Sequence, residues 1–134
     1  MRIAYVNSRE VILDGHFEIE RSRIVQGAEK YLQTLIQGVI SQGHETEIFY
    51  SIGRESPNRV SGTWPVVVNQ AADWSHLRNW QPDLIHLVNP AHIGLFVLDF
   101  AKAHDIPVVT TVVDHWWLCP KATMITPSNE RCKG

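Results

Sequence analysis

Hydrophobic positions along this chain follow two alternating rhythms. Residues 2–7 are nearly continuously apolar, with Ile3, Ala4, Tyr5 and Val6 in a row. That is the pattern of a strand covered on both faces of a parallel sheet. Residues 24–42 switch to a helical period. Ile24, Ala28, Tyr31, Leu32, Leu35, Ile36, Val39 and Ile40 recur at three- and four-residue intervals and form one stripe. Glu29, Lys30, Gln33 and Gln37 lie off it, and Glu29 in the first turn suits the helix dipole. Gly43 is a natural C′ residue to end this helix. Gly38, inside it, costs about 1 kcal/mol relative to alanine, which points to close packing on a sheet.

The alternation continues. Residues 45–50 read as a second strand and 51–63 as a Gly/Ser/Pro/Asn-rich loop. Residues 64–68 read as a third strand, with Pro65 suited only to its start or to an edge. Residues 70–80 form a short helix anchored by Ala71, Trp74, Leu77 and Trp80, and Pro82-Asp83 breaks it. Residues 84–88 are a strand stopped by Asn89-Pro90. Residues 91–104 are a helix with Ile93, Phe96, Val97 and Phe100 on one side, and 108–113 are a last strand. The predicted fold class is α/β: a Rossmann-like three-layer sandwich with a mostly parallel sheet. Between the first strand and first helix lies a polar connection, 8–23. It is long for such a link, and reads either as a functional loop or as disorder.

Composition limits the function classes. The 134 residues suit one domain, and 44% hydrophobic with 19% charged content favours folding. A net charge of −2 argues against a nucleic-acid partner held by bulk charge. No apolar run approaches the roughly 20 residues of a membrane span. The N-terminus begins a strand directly, without a signal-peptide layout. The expected address is cytoplasmic, with a peripheral position at the inner face of the membrane as a variant. Cys119 and Cys132, with His115, make three soft ligands for a metal. A fourth is missing and no CxxC knuckle occurs, so an incidental role is preferred and no metal is expected.

Candidate chemistry gathers at one edge. In an open parallel sheet the ligand lies outside the carboxyl ends of the strands. Those ends are Asn7-Ser8, Tyr50-Ser51, Val88-Asn89 and Val113-Asp114-His115. The helix start at Gln26-Gly27 faces the same edge. Free N–H groups and the positive end of a helix dipole make such a start an anion site. G-x-G-x-x-G is absent, so the ordinary dinucleotide fingerprint is not the explanation.

Four pieces, in order, resemble the N-terminal domain of family-4 glycosyltransferases of the GT-B fold. Gln26-Gly27-Ala28-Glu29 resembles the family's Gly-Gly-Ala-Glu. Gly43-His44-Glu45-Thr46 is similar to its Gly-His-Glu-Val. Pro82-Asp83-Leu84-Ile85-His86-Leu87-Val88-Asn89 is similar to Pro-Asp-Val-Val-His-Val-His-Asn. Thr111-Val112-Val113-Asp114-His115-Trp116-Trp117-Leu118-Cys119-Pro120 resembles Thr-Leu-His-Asp-Tyr-Trp-Leu-Leu-Cys-Pro, and Cys132-Lys133-Gly134 its Cys-x-Gly.

The resemblance implies half of a retaining enzyme that moves a sugar from a nucleotide-sugar donor and needs no cofactor or bound metal. The 134 residues would be the acceptor-side domain, inactive alone, with the nucleotide-sugar domain lying outside them. Gln26 and Gly27 would face the donor diphosphate. Asn89 and Trp116 would touch the acceptor, whether glycan, lipid or small molecule. Asp114 and His115 would stand at the reacting sugar, because the family's histidine position is Val113 here. Trp116 and Trp117 have a second reading, as anchors of the last loop. His86, inside a strand, reads as a buried histidine bonded to neighbouring backbone. Further expected partners are the missing domain, a membrane surface and a second copy of the chain, through apolar surface around Trp116, Trp117 and Leu118. A rival reading is a non-catalytic interaction domain derived from such an enzyme, favoured by Gln26 and Val113.

Overall fold

The computed structural model describes residues 1–9, 27–52, 59–60, 67–70, 74–89 and 96–113, together with 124, 128, 130 and 131. The elements in chain order are β1 (Arg2–Arg9), α1 (Gly27–Ser41), β2 (Glu45–Ile52), β3 (Arg59–Val60), β4 (Val67–Gln70), α2 (Ser75–Trp80), β5 (Leu84–Asn89), α3 (Phe96–Ala103) and β6 (Val108–Thr110). The described strands form one six-stranded sheet in the order β3-β4-β2-β1-β5-β6. β1 pairs in parallel with β2 and β5, β2 with β4, and β5 with β6. Only β3 runs antiparallel, against β4 at the outer edge.

Each central strand is buried on both faces, so its side chains divide between two cores with period two. Ile3 and Tyr5 of β1, Ile48 and Tyr50 of β2 and Val88 of β5 pack with Leu32 and Ile36 of α1. Ala4 and Val6, Phe49, Ile85 and Leu87 point the other way, onto Leu77 of α2 and Val97, Phe100 and Ala101 of α3. The sheet therefore lies between α1 on one side and α2 with α3 on the other. This is the expected three-layer α/β arrangement.

Local chemistry sets the element ends. After α1, the Gly43 N–H donates to the Ile40 carbonyl (2.9 Å) and the His44 N–H to the Val39 carbonyl (3.3 Å). Gly43 itself has φ +80. This is the Schellman closure, and glycine adopts its left-handed residue without a Cβ clash. Gln81 ends α2 in the left-handed region (φ 50) and donates its N–H to the Leu77 carbonyl. The Arg2 guanidinium then donates to the Trp80 carbonyl (2.8 Å), and the Arg2 N–H to the Asp83 carboxylate (2.7 Å). The turn between α2 and β5 is thereby tied to the start of β1.

Several expectations are corrected. Residues 59–60, expected inside a loop, form β3; two residues are too few to show a period. The third predicted strand, 64–68, is found at Val67–Gln70, starting after Pro65. Gln70 thus belongs to a strand, and the helix expected from residue 70 starts at Ser75. Gly38 is exposed, and a Cβ built there would meet nothing within 4 Å, so packing on the sheet does not explain it. The connection 8–23 lies almost wholly outside the described residues.

Candidate functional site at the carboxyl edge

Because β1 runs toward the edge at which α1 begins, the parallel strands bring their carboxyl ends to the start of that helix. Gly27, the first residue of α1, is exposed, and a Cβ there would meet nothing within 4 Å. A ligand can therefore approach the helix start without meeting a side chain at this position.

The ladder between β1 and β5 breaks at the same edge. Val6 pairs with Leu87, but Asn7 pairs with Asn89, so Val88 is an extra residue on β5. Bulges of this kind re-aim side chains beside active sites. This one sets two asparagines opposite each other: Asn7 buried, Asn89 half-buried. Asn89 was legible as a strand tip, whereas its pairing with Asn7 depends on a register shift between strands distant in sequence.

His86 lies one residue further back than Leu87 on the α1 side of β5, 8% exposed. The expected backbone partner is replaced by a side chain: Nε2 of His86 is 2.7 Å from Oγ1 of Thr111. The same Oγ1 lies 3.3 Å from the hydroxyl of Tyr31. Thr111 follows β6 and holds its place through its own N–H, which donates to the Leu87 carbonyl (3.1 Å). Tyr31 was expected among the buried stripe of α1; it is instead 43% exposed, with its hydroxyl turned to Thr111. Neither Tyr31 nor Thr111 stood out in the sequence, because a stripe tyrosine and a strand threonine are ordinary there.

Burial shapes the titration of this cluster. Desolvation holds His86 below its ordinary value, since a buried imidazolium loses its hydration. Tyr5, whose ring centroid is 5.2 Å from that of His86, is pushed up to about 12 by burial and then by Tyr31. Burial also pushes the Tyr50 phenol up. A neutral, hydrogen-bonded cluster thus underlies the edge.

Val113 packs against the core on the α1 side, while Val112 is 65% exposed. Gln26, Asp114, His115 and Trp116, and with them Trp117, Leu118, Cys119 and Cys132, lie outside the described residues. Among the described residues no group of three or more His, Cys, Asp or Glu side chains is placed to hold a metal ion. No described helix is long and apolar enough to cross a membrane.

Comparison with known proteins found one family and no individual relative. No curated protein and no solved structure matches the chain. Residues 25–126, most of the sequence, match the family model described as Glycosyltransferase Family 4. The chain, with its Rossmann-like sheet and open helix start at the carboxyl edge, belongs to glycosyltransferase family 4.

Proposed function

We propose that this chain is the acceptor-side domain of a retaining glycosyltransferase, working with a nucleotide-binding domain beyond these residues. The observation that carries the reading is the exposed start of α1 at Gly27, at the same carboxyl edge of the sheet as the Asn7–Asn89 pair. Backbone N–H groups there suit the diphosphate of a nucleotide sugar, with Gln26 as a further donor. Asn89 and Trp116 are assigned to the acceptor. In the transfer, the bond from the sugar's anomeric carbon to the diphosphate oxygen breaks. A bond to an acceptor hydroxyl oxygen forms on the same face, and the hydroxyl proton leaves with a base. His115 is assigned to handle that proton and Asp114 to orient the sugar beside it. The two follow Val113, whose partly buried apolar side chain packs against the core and can neither donate nor accept a proton.

The test is turnover by the full-length protein with a panel of sugar nucleotides and candidate acceptors, beside Asp114→Asn and His115→Ala. Loss of turnover in both variants with unchanged thermal unfolding supports the assignment. Wild-type rates in both would remove these two residues from it.

Val113, apolar where the family has a histidine, and Gln26 also favour a second reading, a non-catalytic interaction domain. A full-length protein that binds glycan without any hydrolysis or transfer would select it.

A further inference from the structure

Beneath the first turns of α1, three polar side chains from three segments are joined. The Tyr31 hydroxyl is 3.3 Å from Thr111 Oγ1, and that oxygen is 2.7 Å from His86 Nε2. Tyr31 is 43% exposed and His86 is 8% exposed, so the chain of bonds runs from solvent into the sheet.

Chemistry orients these bonds. A threonine hydroxyl carries one proton and two lone pairs, so it accepts from one side while donating to the other. A phenol is a stronger acid than an aliphatic alcohol, and a neutral imidazole nitrogen is the strongest base of the three. In the order these acidities favour for a neutral His86, Tyr31 donates to Thr111 and Thr111 to Nε2, each bond polarising the next. This order requires the His86 tautomer with its proton on Nδ1. When Nε2 gains a proton it becomes a donor, and both hydroxyls must turn round.

We propose that Tyr31 is a ligand-contacting residue of the carboxyl-edge site, and that Thr111 and His86 are positioning residues that set whether its hydroxyl proton points inward or outward. A solvent hydronium gives a proton to the Tyr31 oxygen. Tyr31 passes its own proton to Thr111, and Thr111 passes its own to Nε2. Each hydroxyl ends with one proton and the imidazolium holds the charge. Nε2 then donates to Thr111, Thr111 to Tyr31, and Tyr31 outward.

Among the described residues, the groups facing His86 are Tyr5 from β1, Thr111 after β6 and, through Thr111, Tyr31 from α1. Among the described residues no carboxylate or cation bonds to the ring. Burial holds the imidazole neutral at pH 7, so the outward form belongs to acidic pH. The consequence for a ligand rests on the proposed function, which puts an anionic group near Gly27, one helical turn from Tyr31.

The test is long-range 1H–15N NMR of the His-labelled chain from pH 4 to 9. At neutral pH, His86 should show the Nδ1–H tautomer with Nε2 as a hydrogen-bonded acceptor. Thr111→Val should lose that acceptor signature and Thr111→Ser should restore it. An Nε2–H tautomer, or an unchanged signal in Thr111→Val, would overturn the relay. With pyrophosphate as probe, the Gly27 amide shift should tighten at acidic pH more in the wild type than in Tyr31→Phe. Equal pH dependence in the two would remove Tyr31 as a ligand contact. Absence of any pyrophosphate shift, with the tautomer as expected, would count against the diphosphate placement and against Tyr31 as its contact, leaving the proton relay standing.

Discussion

Nε2 of His76, on α2, lies 2.8 Å from a carboxylate oxygen of Glu47, on β2. Glu47 is 8% exposed, and its side chain sits on the face of the sheet where Phe49 contacts Trp74, Trp80 and the His76 ring. A carboxylate in that position needs donors to replace the water it has lost. His76→Ala should therefore lower the unfolding free energy by about 1–3 kcal/mol, read from urea midpoints. Glu47→Gln should cost less, because an amide is cheaper to bury than a charge. Equal stability of His76→Ala and the wild type would show that the pair contributes nothing.

Gly38 offers the opposite case. It lies inside α1, exposed, with open space where a Cβ would stand. Gly38→Ala should stabilise the chain by about 0.5–1 kcal/mol through backbone entropy. A lowered thermal midpoint would mean that another surface approaches this glycine.

Thr46, on β2, carries a buried hydroxyl with no partner among the described residues. Thr46→Val keeps the shape and removes the polar atom. The unfolding free energy should stay level or rise by roughly 1 kcal/mol, and a clear loss would reveal a bond to this hydroxyl.

The depressed His86 gives a pH dependence with a definite sign. Its folded form resists a proton that the unfolded chain accepts from about pH 6.5 downward. Stability linked to His86 is therefore fully present above that pH, and is lost as pH falls from there through the lower folded value. Between pH 8 and 4, His86→Gln should lose stability less steeply than the wild type. Parallel curves would show that His86 titrates alike in both states.

Much of this fold was legible because period and burial agree. The run Ile3–Val6 is apolar without a break, and Ile85–Val88 is broken only by His86, because both faces of those strands are covered. The stripe Leu32, Leu35, Ile36, Val39 and Ile40 places α1 on the sheet. β3 escaped notice because Arg59 and Val60 are too short a pair to show alternation. Tyr31 was misplaced because its ring fits the stripe while its hydroxyl is drawn to Thr111, 80 residues away. No local pattern encodes such a bond, nor the bulge that sets Asn7 against Asn89. The assignments of Gln26, Asp114, His115 and Trp116 come from motif resemblance and fall outside the described residues, so chemistry must test them.

The most direct measurement follows an isotope-labelled sugar from its nucleotide donor, using the full-length protein and a panel of sugar nucleotides, with the product's anomeric configuration read by NMR. Transfer or slow hydrolysis of at least one donor, with the configuration kept, is the expected result. Neither reaction with any donor, or an inverted product, would contradict it.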